Sequence, residues 1–188
     1  IFKKKIGKNP FLVKHSLSYL KKFDKVIAVS ENTKRDIVKY TDCPKENIVV
    51  QQNSIEKFFN QQKIDKNKVI RKFKIPKNGK KILIIGTSFY KNHKITLKVL
   101  EHLKNYYKNI YFIKIGNKFD FKINDVLFFP SIYEGFGLPL LEAINSGIPV
   151  VCSDIKVLKE IIKTKKYMAS PYDHKKFSKL LVNILENK

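Results

Sequence analysis

A chain of 188 residues with 43% hydrophobic content makes one ordinary domain, with or without a small appendage, and no apolar run in it approaches the roughly 20 residues of a membrane span. The formal net charge of +23 would suit nucleic acid or an anionic membrane surface, yet nearly all the cations are lysines, and Lys, Asn and Ile rise together as an AT-rich coding bias produces. Arginine, the residue of bidentate base and phosphate contacts, is present only as Arg35 and Arg71, so nucleic acid is set aside and a weak attraction to acidic lipid headgroups stays open.

The first residues, IFKKKIGKNPFLV, carry positive charge without an apolar core and a small-residue cleavage site, so they do not read as a signal peptide. The sole methionine is Met168, and Ile1 is not read as the natural start. Residues from about Pro10 to Phe23 are expected to be helical, and Lys25 to Val29 to form a short buried strand. Ser30 is a good N-cap for a helix over Glu31 to Tyr40, which Asp42-Cys43-Pro44 then breaks. Ile48-Val49-Val50 is a second short strand, followed by a polar connection to Asn60. A helix over about Lys66 to Phe73 leads to the turn Pro76-Lys77-Asn78-Gly79.

A new unit begins with the strand Lys81 to Ile85, which ends at Gly86. The helix expected over His93 to Tyr106 has Ile95, Val99, Leu100 and Leu103 at helical spacing. Ile110 to Ile115 is the next strand. Only residues 116 to 124 separate it from the strand Val126 to Phe129, whereas a parallel crossover usually takes a dozen residues or more. An extended loop without a helix of its own is expected there. Pro130 stops the strand, a loop carries Glu134, Gly135 and Gly137, and Pro139 opens a helix that should bury Leu140, Leu141 and Ile144 before Gly147 ends it. Pro149 to Cys152 is again a strand, with Cys152 a small core residue. A short helix over Lys156 to Ile162, a strand near Tyr167-Met168, and a last helix capped by Asp173, with Phe177, Leu180, Leu181, Ile184 and Leu185 inside, complete the chain. Alternating strands and helices define an α/β fold with a Rossmann-like, mostly parallel sheet. The two cysteines, Cys43 and Cys152, match no metal-ligand spacing and fit a reducing, cytoplasmic setting.

Asp125 to Cys152 reads as strand, glycine loop, helix, strand. Such units bind phosphorylated ligands where the loop meets the helix N-terminus. Glu134 and Glu142 lie eight apart around that loop. They could serve as an acid/base pair, as acceptors for hydroxyls such as those of a ribose, or as solvated charges. Gly135 and Gly137 admit close approach of a ligand or simply a tight turn. Lys91 follows a strand-end glycine loop, where it could neutralise a phosphate or be one more exposed lysine. His15 and His93 read as surface residues.

The run PSIYEGFGLPLLEAINSGIPVV closely resembles the signature of the retaining glycosyltransferases of family 4 (glycosyl transferases group 1), which have the GT-B fold. Glu134 and Glu142 match that family's paired glutamates, and the glycines, Pro139, Ala143, Gly147 and Pro149 agree as well. FDKVIAVSENTKRDIVKY resembles the last strand and helix of the family's N-terminal domain, and NIVVQQNSIEKFF its inter-domain connection. IGTSFYKN, with Gly86, resembles the loop of the phosphate-binding lysine, here Lys91, although Thr87 and Ser88 stand where many members have an arginine. VLKEI and SPYDHKKF resemble the closing helices. The resemblance implies a remnant of the N-terminal domain over residues 1–60 and an internally shortened nucleotide-sugar-binding domain over 61–188. It implies hexosyl transfer from a UDP-, GDP- or ADP-sugar to an unknown glycan or lipid acceptor, without a metal and with retained anomeric configuration. Glu142 would bond the ribose. Glu134 and the amides of Gly135, Phe136 and Gly137 would hold the sugar. The Leu138 amide and Lys91 would meet the diphosphate. With most of the facing domain absent, transfer by this chain alone should be weak. A separate N-terminal domain is then a candidate partner, and peripheral contact with the inner membrane face an accompanying expectation. The alternative is a non-catalytic sugar-nucleotide-binding or protein-interaction module.

Overall fold

The computed structural model of the chain describes residues 15–55, 66–115 and 125–187. The chain divides into two compact units, Ile1–Ser54 and Ile55–Lys188.

In the first unit, strand β1 (Val26–Ala28) pairs in parallel with β2 (Ile48–Val50), and helix α1 (Glu31–Tyr40) connects them. Ser30 is extended, with φ −159° and ψ 161°, and its Oγ accepts a 3.0 Å hydrogen bond from the Thr33 amide, so the first turn begins on a capped N–H. At the other end the Thr41 hydroxyl donates back to the Ile37 carbonyl at 2.7 Å, and the chain turns away before Pro44. Ala28, Cys43 and Ile48 are buried against Leu20, Ile37 and Val50. The opposite face of the strand pair is bare: Ile27 and Val49, which are register partners, are 69% and 47% exposed.

The second unit opens with α2 (Lys66–Lys72) and continues through β3 (Lys80–Ile85), α3 (His93–Leu103), β4 (Ile110–Ile115), β5 (Val126–Phe129), α4 (Leu138–Asn145), β6 (Val150–Ser153), α5 (Lys156–Ile161), β7 (Met168–Ala169) and α6 (His174–Glu186). The five strands form one parallel sheet in the order β4-β3-β5-β6-β7. Because strand side chains alternate between faces, the almost wholly apolar runs of β3 and β5 feed two cores at once. Ile82, Ile84, Val126 and Phe128 face α3 and α6, where they meet Ile95, Val99, Phe177 and Leu181. Leu83, Leu127 and Phe129 face α4 and α5, where they meet Leu140, Ala143, Val157 and Leu158. Phe128 stacks edge-on against Phe177 with ring centroids 5.0 Å apart. Burying such a side chain contributes about 1.5–3 kcal/mol, and a sheet covered on both faces gains from both layers.

The sequence expectation for residues 116–124 lies outside the described residues, as do Pro10 to Lys14 of the first expected helix. Residues 15–18 are helical and Tyr19–Lys22 form a 3-10 turn. Helix α3 stops at Leu103, short of the expected Tyr106, and Lys104 to Tyr107 continue as turns whose amides bond Leu100, His102 and Leu103. In α4 the buried residues are Leu140 and Ala143, whereas Ile144, expected inside, is 42% exposed. The helix is rotated so that the i+3 neighbour of Leu140, not the i+4 neighbour, meets the sheet. Cys152 is fully buried, as expected of a small core residue. Burial, with Asp154 adding a smaller push, raises its thiol to about 12.

Candidate functional site

The strand order contains one reversal. From β3 the chain moves outward to β4 and then returns to the other side of β3 as β5. In a doubly wound sheet the crevice beyond the carboxyl ends of two such strands is where ligands bind, because the crossovers leave on opposite faces and part there. The candidate residues come from those two crossovers. Lys91 follows β3 and Glu134 follows β5.

The Lys91 ammonium donates to Glu134 Oε1 at 2.6 Å. The side chains are 11% and 10% exposed, so the pair is largely removed from water. The ammonium also stands 4.6 Å from the Phe129 ring centroid and 5.4 Å from that of Tyr90, within cation–π range of both. Gly86, at the end of β3, makes this possible. Its φ is +90°, and a Cβ there would stand 3.0 Å from Lys91 Cε and 3.2 Å from Cγ, so the lysine stem lies across bare backbone. Two further bonds tie the crossovers together: the Ile132 amide donates to the Tyr90 carbonyl at 2.9 Å, and Asn92 Nδ2 donates to the Pro130 carbonyl at 3.0 Å.

The rest of the loop runs into α4. Gly135 is half-buried and Phe136 is 6% exposed. Gly137 caps α4 with φ +110°, and a Cβ on it would meet Leu158 Cδ2 at 2.9 Å, so the helix N-terminus sits tight against α5. Leu138, the first helical residue, is 37% exposed. Glu142 is half-buried on the second turn. Of the residues singled out from the sequence, the structure therefore brings Gly86, Lys91 and Glu134 into direct contact, and sets Gly135, Phe136, Gly137, Leu138 and Glu142 along the continuation of the same crossover. Thr87 and Ser88 are exposed. His93, expected at the surface, is half-buried, and its Nε2 has no hydrogen-bond partner among the described residues. Also among the described residues, no group of three or more His, Cys, Asp or Glu is placed to hold a metal, and no helix is long and apolar enough to cross a membrane.

Asn92 was not singled out from the sequence. It adopts the left-handed conformation, φ 60° and ψ 47°, between a 3-10 turn and α3. The available signal was an asparagine at a strand–helix junction, since Asn is enriched in that backbone region.

A parallel, doubly wound sheet with an ion pair at its switch point defines a Rossmann-like α/β domain. The chain superposes on the crystal structure of Anabaena Alr3699/HepE in complex with UDP and glucose with a TM-score of 0.76 at 15% identity, over 96% of this chain and 59% of that one. Residues 119–188 match the model of the family described as glycosyl transferases group 1. It is 51% identical over 45 residues to O-antigen chain mannosyltransferase B of Escherichia coli, which is 24% of this chain and 12% of that protein. It is 26% identical over 185 residues to the uncharacterized glycosyltransferase MJ1607 of Methanocaldococcus jannaschii, which is 79% of this chain and 47% of that protein. The chain thus spans about half the length, or less, of the curated relatives it matches.

Proposed function

We propose that the chain is the donor-binding half of a retaining glycosyltransferase, which transfers a hexosyl group from a nucleotide sugar to a glycan or lipid acceptor. The observation that carries this reading is the buried Lys91–Glu134 pair at the sheet's switch point, beside the N-terminus of α4. In the proposed reaction the bond between the anomeric carbon and the diphosphate oxygen breaks with its electron pair on that oxygen. Lys91 and the Leu138 amide meet the charge that develops there, and fixed donors in a site shielded from water are the largest usual contribution to such a step. Glu134 and the amides of Gly135, Phe136 and Gly137 hold the sugar. Glu142 accepts hydrogen bonds from the ribose. No metal is assigned a part. The acceptor side of the cleft belongs to a facing domain, supplied by further chain or by a separate partner. The setting proposed is cytoplasmic, with peripheral contact to the inner membrane face.

The donors to test are UDP-, GDP- and ADP-linked hexoses. Mannosyl donors belong in the panel because a matched relative is a mannosyltransferase, and UDP-glucose because a fold neighbour was solved with UDP and glucose. One of them should raise the melting temperature of the chain, and Glu142→Ala should remove that rise. Absence of a shift and of calorimetric heat with every donor would refute the reading. A second reading, a non-catalytic interaction module, is favoured by the bare Ile27–Val49 face. It predicts self-association in sizing experiments and no turnover with any donor.

A further inference from the structure

The geometry points to Asn92 as a positioning residue that holds Lys91 against Glu134 by locking together the crossovers after β3, β5 and β7. The inference rests on the donor-site reading for its functional meaning, though not for its geometry. Asn92 stands where an asparagine would ordinarily cap α3 by accepting an amide hydrogen bond, but its side chain makes no such bond. Among the described residues both of its side-chain bonds are donated by the amide nitrogen. Nδ2 reaches the Pro130 carbonyl at 3.0 Å and the Pro171 carbonyl at 2.7 Å. Pro130 directly follows β5 and lies four residues before Glu134, and Pro171 lies between β7 and α6. The backbone of Asn92 is also engaged: its amide donates to Phe89, and its carbonyl accepts from Ile95 and Thr96.

Two demands meet at this position. The left-handed backbone suits Gly, Asn or Asp, and the paired carbonyls need a side chain with two N–H groups. Of those three residue types only asparagine meets both. Because Lys91 is the residue just before it, any rotation of the clamp moves the lysine stem across Gly86 and away from Glu134. Movement on the scale of an ångström at a charged binding group is enough to cost about a hundredfold in a well-aligned site. The clamp also ties the β7–α6 turn, which carries no candidate site residue, to the orientation of one that does.

The test separates the clamp from the backbone conformation. Asn92→Gly keeps the left-handed turn and deletes both donors. Asn92→Asp keeps the shape and turns the donors into acceptors. The first readout needs no ligand. It is the 1H–15N signal of the Lys91 ammonium, assigned with Lys91→Arg and slowed in exchange by the bond to Glu134. It should be present in the parent chain and lost in both variants while each still unfolds cooperatively. The second is calorimetric titration with UDP, GDP and ADP in parent and Lys91→Ala backgrounds. Asn92→Gly should weaken the binding diphosphate by about tenfold or more in the first background and produce no further loss in the second, as coupled residues do. An unchanged Lys91 signal in both variants, or losses that add across the two backgrounds, would make Asn92 a plain structural tie and overturn the proposal. If no diphosphate binds the parent chain, the donor-site reading fails, and the ammonium signal alone decides whether Asn92 positions Lys91.

Discussion

Lys91 and Glu134 meet at 2.6 Å although they belong to different crossovers, separated in the sheet by the line between β3 and β5. Each is a charge that would be costly to bury alone. Together, with the Phe129 ring beneath the ammonium, they form a neutral unit that can lie out of water. The contact holds the lysine side chain in place at the end of its crossover.

The pair predicts an asymmetric response to mutation. Lys91→Ala leaves a buried carboxylate without its cation and should cost about 3 kcal/mol in urea denaturation. Replacing both partners, Lys91→Met with Glu134→Gln, should recover much of that loss while weakening diphosphate binding. A double-variant loss equal to the sum of the two single-variant losses would show that the two charges are not coupled.

Three glycines with positive φ should rank by what surrounds them. At Gly147, φ is +72° and nothing lies within 4 Å of an added Cβ, so alanine should cost only backbone strain, about 1 kcal/mol. At Gly137 the same strain adds to a 2.9 Å approach to the fully buried Leu158, and a total of about 3 kcal/mol is expected. At Gly86 the obstacle is the Lys91 stem, which can move. Gly86→Ala should therefore lose stability modestly but lose ligand affinity, as seen by calorimetry set beside the melting curve.

Cys152 gives a pH prediction. Its thiol is pushed from the usual 9.0 to about 12 in the folded chain, so the unfolded chain ionises first as pH rises. The folded state then loses stability above pH 9 and goes on losing it until about pH 12. Against a Cys152→Ala reference that retains Cys43, the parent should lose about 1.4 kcal/mol more between pH 8 and pH 10. Iodoacetamide at pH 8 should reach Cys152 only at the rate of unfolding. Rapid labelling of the native chain would contradict the burial.

Both predicted caps can be tested by truncation. Ser30→Ala and Asp173→Ala each remove an acceptor, for the Thr33 amide at 3.0 Å and the Lys176 amide at 2.9 Å. About 1 kcal/mol is expected for each. Ser30 is fully buried and Asp173 exposed, so the serine should be the costlier loss by thermal or urea melts.

What was legible in the sequence follows from how local each signal is. Ser30 and Asp173 were found because a cap is defined within a few residues. The final helix was found because Phe177, Leu181, Ile184 and Leu185 repeat at helical spacing and are all buried. Lys91 and Glu134 are each marked in the sequence by the loop they follow and by the family resemblance. Their contact depends on the strand order, which no local pattern states. Ile144 was misplaced because the spacing that marks a helix does not fix its rotation about its own axis. Asn92 carries no local signal of its role because its partners, Pro130 and Pro171, are 38 and 79 residues away in sequence.

Phe129 serves both the site and the core: it packs among Leu127, Leu140 and Val157 on one side of the sheet and lies under the Lys91 ammonium. The fold needs the ring whatever the crevice above it binds. The ion pair above it is held by its own pairing rather than by the core. A buried pair is about neutral for stability against apolar residues of similar size, so joint replacement of Lys91 and Glu134 would spare the fold, whereas loss of either one alone would not. The aromatic floor is thus fixed by the core, and the pair above it is fixed by its own complementarity of charge.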